Sequence, residues 1–228
     1  MRIQSRNFSG LFFVFWLMVQ ASAWAQTAPS QAQEAAYKGL HAAALNDDSD
    51  LINRLVAQGA NLEARDSYGR TPLHVAAFKS HEKALVALAL AGADMNAYEH
   101  DAYDVVTIAA VANDVPMLRL ALSLGGKPGN ITSPYDGTAL IAAAHLGHVD
   151  VVRTLIEAGA PLDHINNLGW TALIEAVVLG DGGERHVKVV RSLIKSGADV
   201  SLADRAGVTP LQHAKQRGYA TIVALFKE

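Results

Sequence analysis

A segment that begins at Gly69 recurs along the chain at intervals close to 33 residues, and this period limits the possible folds more than any other feature. The first clear copy reads GRTPLHVAA. Related segments begin at Ala102, Gly137, Gly169 and Gly207, with a partial copy at Leu40. A second marker keeps the same spacing at Gly59, Gly92, Gly125, Gly159 and Gly197. Such a period is typical of repeat proteins, in which each unit is one supersecondary structure.

The residues of the repeated segment predict two helices in each unit. The threonine slot suits a helix N-cap, whose hydroxyl accepts from a free backbone amide, and it is filled at Thr71, Thr138, Thr171 and Thr209. Proline at the next position suits the first helical turn. A second apolar helix follows, for example from Val149 to Ala158. One unit cannot bury its own apolar face, so we expect the units to stack. Ala143 and Leu155 should then lie inside repeat interfaces.

These motifs resemble the ankyrin repeat. The resemblance covers nearly all of the chain after residue 35 and implies an all-α ankyrin-repeat solenoid with about six helix–turn–helix repeats and short β-hairpin-like loops. Ankyrin proteins bind other proteins, so the resemblance implies a non-catalytic binding module that needs no cofactor. The expected repeat domain spans residues 36–228. Its repeats are residues 36–65, 66–98, 99–131, 132–165, 166–203 and 204–228.

The first 25 residues have a different character. A positive start at Arg2 and Arg6 precedes the apolar block LFFVFWLMV, and small residues stand before Gln26. The block is too short to span a bilayer, so we interpret residues 1–25 as a signal peptide, with an uncleaved anchor as the alternative. Residues 26–35 read as a flexible leader. This combination resembles small exported bacterial ankyrin proteins, which implies a periplasmic adaptor, helper or inhibitor, in peroxide defence or as an immunity partner of a toxic effector.

Charge argues against two classes of partner. Removing Arg2 and Arg6 from the 19 basic residues leaves 17 against 22 acidic residues, a net charge of −5 with neutral histidines. We therefore expect no nucleic-acid partner and no acidic membrane surface as partner after leader cleavage. There is no cysteine for a disulfide or a lipid anchor. We expect one elongated domain, monomeric when free, whose partner is another protein of unknown identity.

In an ankyrin solenoid the loop tips and the exposed side of the first helices line one concave surface. These positions are aromatic and apolar in the middle of the chain, as expected for a protein-contact surface. The alternative is that Tyr135 and Trp170 fold back over neighbouring loops. The predicted partner-binding residues are Tyr68, Arg70, Phe78, His100, Asp101, Tyr103, Tyr135, His145, Leu168 and Trp170.

The third unit departs most from the repeat. Asp104 replaces the threonine and is expected to cap the helix equally well. Ala102 replaces the glycine, which predicts a different turn. The unit is either a decayed repeat or a specialised recognition loop. An enzyme that uses His100, Asp101 and the glycine-rich loop 180–186 is the alternative function, although no nucleophile stands at a recognised spacing. A structural spacer in an envelope assembly is a further alternative.

The fifth unit carries a five-residue insertion between its two helices, in the segment GDGGERHV from Gly180. It lacks the lysine and the preceding strand of a phosphate-binding loop. It is either a neutral insertion or a second contact loop, whose polar residues are Asp181, Glu184, Arg185 and His186.

The nine histidines do not form a metal-binding pattern. His41 and His74 occupy the histidine slot of the repeat, where we expect their rings to hydrogen-bond to the next unit. His81, His148 and His213 also lie at repeat positions. The remaining histidines come from different repeats without short ligand spacing, so no metal site is expected.

Overall fold

The computed structural model describes residues 26–227, and within that range the chain forms thirteen α-helices. The predicted signal peptide, residues 1–25, lies outside the described residues. The helices are α1 (Gln31–Ala36), α2 (Gly39–Leu45), α3 (Ser49–Ala57), α4 (Pro72–Phe78), α5 (Glu82–Leu90), α6 (Val105–Val111), α7 (Val115–Ser123), α8 (Ala139–Leu146), α9 (Val149–Glu157), α10 (Ala172–Val178), α11 (Glu184–Lys195), α12 (Pro210–Gln216) and α13 (Ala220–Leu225).

Helices α2 to α13 form six antiparallel pairs that stack in two layers. The inner layer contains α2, α4, α6, α8, α10 and α12, and each packs against the next member of the series. The outer layer contains α3, α5, α7, α9, α11 and α13 in the same order. One pair lies in each of the six predicted repeat segments. No helix among the described residues has the length and apolar character of a membrane span. The predicted all-α solenoid is confirmed.

The core runs along the whole stack instead of gathering at one centre. Its inner-layer members are mostly alanines, which let neighbouring units approach closely, while branched residues of the outer layer fill the space behind them. Ala143 and Leu155 are both fully buried in this core. Their predicted place inside repeat interfaces is therefore confirmed.

The helix starts follow the caps expected from the sequence. The side chains of Thr138, Thr171 and Thr209 each accept a hydrogen bond from the amide three residues later. Asp104 does the same in the third unit, with 2.8 Å between its Oδ1 and the Thr107 nitrogen. The aspartate therefore replaces threonine without loss of the cap.

Five loops precede the inner helices, and we call them fingers: residues 66–70, 99–103, 132–137, 166–170 and 204–208. The only β-type contact among residues 26–227 is an isolated antiparallel bridge between Thr132 and Gly137, so the predicted hairpin-like loops are tight turns without strands. In four fingers the first side chain accepts from the amides two and four residues later, as Asp66 does from Tyr68 and Arg70.

The prediction that Ala102 imposes a different turn is wrong. Ala102 has φ of 60°, in the same left-handed region as Gly69, Gly169 and Gly207 at the equivalent position. Glu99 holds this finger closed by accepting from the Asp101 and Tyr103 amides. These two hydrogen bonds offset the strain of a left-handed alanine, which is about 1–2 kcal/mol.

The segment expected to be a flexible leader contains helix α1. Ser30 and Gln33 form a reciprocal capping box at its start, a local signal that the sequence analysis overlooked. The Thr27 carbonyl accepts from Arg70 at 2.9 Å, and Glu34 pairs with Lys79 at 2.6 Å. Residues 26–36, which we call the N-terminal strap, therefore pack back on the second unit.

Candidate functional site

The first four fingers form a continuous row because each one is joined to its neighbour through the backbone, and the Arg205 side chain joins the fifth by donating to the Asn167 carbonyl at 2.6 Å. The His100 amide donates to the Tyr68 carbonyl at 3.0 Å, and the Ser133 amide donates to Ala102 at 3.2 Å. The Asn167 amide donates to Tyr135 at 2.9 Å. Side chains add to the row: the His100 ring covers Gly69, where a Cβ atom would lie 2.4 Å from the ring. The surface beside the inner helices is therefore built from connected loops.

Arg70 is not the exposed contact residue that the sequence predicted, because its side chain is fully buried. Its Nε donates to Asp66 Oδ2 at 2.8 Å, and its guanidinium carbon lies 4.6 Å from the centre of the Tyr68 ring. The Tyr37 hydroxyl donates to the same Asp66 oxygen. Burial works against ionisation of Asp66, but the hydrogen bonds from Tyr37, Arg70 and Tyr68 outweigh it and lower the pKa of this carboxyl.

Tyr103 was also predicted as a contact residue, and the structure places it in the core with 4% exposure. Its carbonyl accepts from Glu99 and from the His74 ring, so its backbone is held at the base of the finger. Burial raises the pKa of the Tyr103 hydroxyl to about 12. Tyr103 therefore supports the finger and does not face a partner.

The other predicted contact residues keep some accessible surface. Tyr68, Leu168, His100 and Asp101 are exposed. A second group is half-buried and consists of Phe78, Tyr135, His145 and Trp170.

The sequence analysis missed a row of large exposed side chains that immediately precede the fingers. We call Tyr98, Ile131 and Ile165 the finger row; they are 40%, 52% and 49% exposed. They occupy the same slot in three consecutive units, each one residue before the first finger residue. The signal was present as three large apolar residues spaced 33 and 34 apart. It was overlooked because the prediction considered only the finger tips and helices.

A buried polar cluster lies at the inner helices of units four and five. Asn166 Nδ2 donates to Glu175 Oε1 at 2.8 Å, and His145 Nδ1 lies 3.4 Å from the other Glu175 oxygen. Glu175 is fully buried at a slot that holds Val75 and Ile108 in earlier units. A buried carboxylate requires such partners, so the half-buried His145 is part of this cluster and is not a free contact residue.

The unit-five loop is less open than the second contact loop that was predicted. His186 is buried, with Nδ1 2.8 Å from Asp181 Oδ1 and Nε2 2.9 Å from the His145 carbonyl. His81 and His148 also contact a carbonyl of the preceding unit, through Nδ1, so His186 has the same structural role through Nε2. The remaining predicted residues, Asp181, Glu184 and Arg185, are exposed.

The residues of the alternative enzyme hypothesis do not form a catalytic arrangement. The side chains of His100 and Asp101, both within the described range, share no hydrogen bond. His100 and Asp101 lie in the finger that precedes α6, whereas the loop 180–186 follows α10, so the two features lie at opposite ends of the inner helices and in different units. Across residues 26–227, no group of His, Cys, Asp and Glu side chains has the arrangement of a metal site.

Comparison with known proteins shows which family this fold belongs to. A family model described as ankyrin repeats (3 copies) matches residues 9–99 and 106–204. The ankyrin repeat protein YahD of Escherichia coli K12 is 32% identical over 185 residues, which cover 80% of this chain and 91% of YahD. An ankyrin repeat domain from Acinetobacter baumannii AYE is 45% identical with a TM-score of 0.78, over 82% of this chain and 95% of that chain.

A second solved structure, the ankyrin repeat protein EF0377, is 30% identical with a TM-score of 0.77. The alignment covers 84% of this chain and 98% of that chain. The helix pairs, the capped fingers and these matches agree over nearly the whole described range. This chain therefore belongs to the ankyrin-repeat family.

Proposed function

We propose that this chain is an exported, periplasmic module that binds one partner protein through the finger row and the adjoining concave face, as an adaptor, helper or inhibitor. Its ankyrin repeats indicate a protein–protein interaction module. Export is supported by the composition of residues 1–25, a positive start followed by a short apolar block.

The exposed finger row is the observation that carries the binding site. Ile131 and Ile165 expose about half of their surface at equivalent positions of adjacent units. Tyr68 and Leu168 lie on the neighbouring finger tips and are also exposed. A row of apolar side chains on connected loops is preorganised, so binding would order few side chains. Contiguous exposed apolar side chains mark protein-contact surfaces.

The test is an affinity capture with the full chain, expressed with its own residues 1–25 and recovered from the periplasmic fraction. The bait is compared with an Ile131→Ser/Ile165→Ser double variant, in cells grown with and without peroxide. A matched control is Leu90→Ser, which removes a side chain that is 78% exposed on the outer helix α5. Each lost anchor should cost about 2 kcal/mol of binding energy, so the double variant should lose the partner while Leu90→Ser retains it.

Three results would contradict the proposal. Absence of the chain from the periplasmic fraction would reject the location. Equal recovery of a partner by native protein and double variant would reject the finger row. Loss of the partner with Leu90→Ser alone would move the site to the outer helices.

A further inference from the structure

We infer that Arg70 and Lys79 form a latent carboxylate-binding site on the second unit, which the N-terminal strap covers in the free protein and an acidic segment of the partner occupies in the complex. This inference rests on the proposed function, since it adds a second part to the same binding surface. It concerns the part of unit two that faces unit one, whereas the finger row lies at the ends of units two to four.

Arg70 has the geometry of a covered anion site. Its side chain is fully buried, and Nε is engaged by Asp66. At the other end of the guanidinium, Nη1 donates to the Thr27 carbonyl at 2.9 Å. Nη2 is buried and finds no hydrogen-bond acceptor among residues 26–227. A buried cation with an unused donor is costly, so the strap carbonyl satisfies this group incompletely.

A carboxylate would satisfy Arg70 better than the strap does. Nη1 and Nη2 are parallel donors at the end of the planar guanidinium, and two carboxylate oxygens match them in a bidentate pair. Asp66 does not compete for this edge, because its Oδ2 already accepts from Arg70 Nε and the Tyr37 hydroxyl. The Tyr68 ring, 4.6 Å from the guanidinium carbon, holds the guanidinium plane in place.

The strap itself shows that this surface accepts acidic side chains. Glu34 of α1 contacts Lys79 Nζ at 2.6 Å, just after the last residue of α4. The strap therefore supplies a backbone carbonyl to one cation and a carboxylate to the other. An extended segment that leads into an acidic residue is the kind of ligand that fits both positions.

The strap is bound weakly enough to be replaced. Helix α1 has six residues and buries none of them. A helix of this length is not stable alone, and the partly exposed Glu34–Lys79 pair contributes little. Pro29 is the buried residue within residues 27–36. Segments with so few buried contacts open locally far more often than the stacked helices do.

The test uses the full mature chain, with a hexaglutamate peptide as the probe and NMR resonances of Arg70 and Lys79 as the readout, at low ionic strength. Glu34→Gln, which loosens the strap and leaves both cations, should bind the peptide about fivefold more tightly than the native chain. A Glu34→Gln/Lys79→Gln double variant should lose that gain. Hexaglutamine should cause no shift, because it lacks the carboxylates.

The inference would be overturned by equal affinity of the native and Glu34→Gln chains. It would also be overturned by equal shifts at Arg191 and Lys195 on α11, since exposed cations there report unspecific attraction. Arg70→Gln is avoided because loss of a fully buried side chain could unfold the second unit. The experiment contains no natural partner, so its failure would leave the finger-row proposal standing.

Discussion

At the residue scale, buried histidines join each early unit to the next through fixed tautomers. His74 Nδ1 accepts from the Thr71 amide at 3.1 Å, so Nε2 carries the proton and donates to the Tyr103 carbonyl at 3.2 Å. His41 makes the equivalent contact with the Arg70 carbonyl at 2.9 Å. The expected bonds between units are thereby confirmed. A second proton could bind only at Nδ1 of His74, where it would break the hydrogen bond from the Thr71 amide.

This arrangement predicts a dependence of stability on pH. Burial is the main cause that lowers the pKa of His74 from 6.5 to about 4. The unfolded chain therefore binds a proton at higher pH than the folded chain does. The contribution of neutral His74 to the free energy of unfolding is complete above pH 6.5 and is lost as pH falls from 6.5 towards 4. The free energy of unfolding should fall by about 3 kcal/mol over this range.

Urea unfolding followed between pH 7 and 4 by the fluorescence of Trp170 measures this effect. His74→Gln provides the comparison, because it removes the titrating group and should flatten the pH dependence over that range. An unchanged slope in the variant would show that other groups control acid unfolding.

Residue identity alone did not reveal which finger residues are exposed. Arg70 and Tyr103 occupy the same slot, directly before the helix cap, and both are buried. In each case the finger turns that side chain inward: Arg70 pairs with Asp66 of its own finger, and Tyr103 lies in the core. Ile131 and Ile165 show the reverse, since apolar side chains remain in solvent. The structure of the finger decides these orientations, and the repeat motif does not.

At the element scale, the insertion in unit five lengthens a helix and secures the last unit. Helix α11 has 12 residues, whereas α9 has nine. The loop before it passes under Tyr219 of the sixth unit, whose hydroxyl donates to the Gly180 carbonyl at 3.0 Å. The loop that carries the insertion thus fastens the sixth repeat to the fifth.

Alanine substitutions at two glycines distinguish the contribution of the Tyr219 contact from that of backbone strain. Gly182 and Gly207 have φ of 69° and 75°, so alanine is strained at both. At Gly182 a Cβ atom would also lie 2.5 Å from the Tyr219 ring, whereas at Gly207 it would meet no atom within 4 Å. Gly207→Ala should cost about 1 kcal/mol, and Gly182→Ala should cost at least about 1 kcal/mol more.

Thermal unfolding measures the difference in stability between the two variants, and hydrogen exchange shows which helices are destabilised. Gly182→Ala should raise exchange in α13 selectively, because Tyr219 is displaced. Equal costs for the two variants would mean that the loop can move away and does not secure the sixth unit.

At the scale of the whole molecule, stability is a sum of interfaces between neighbouring units. Each inner helix contacts the inner helices before and after it, and the outer helices behave in the same way. No single centre holds the chain together. A lesion in the middle of the stack should therefore separate the units on its two sides.

Leu155→Asp places such a lesion in α9, where the leucine is fully buried. An unpaired buried charge should lower the free energy of unfolding by about 4 kcal/mol. The control Leu90→Asp changes a side chain that is 78% exposed and should stay within about 0.5 kcal/mol. Urea unfolding should become broader or biphasic for Leu155→Asp, with Trp170 reporting the later units. A single sharp transition at the native midpoint would contradict the stacking of α9.

The period of 33, the caps and the alanines by themselves determined the helices, their pairing and their order, because these depend on local hydrogen bonding and on apolar spacing. The strap on Arg70 and the buried His186 could not be predicted in this way. Each depends on a contact between residues far apart in the chain: Thr27 with Arg70, and His145 with His186. Tertiary structure alone decided which polar side chains are enclosed and which apolar ones remain exposed, because burial depends on the neighbouring unit.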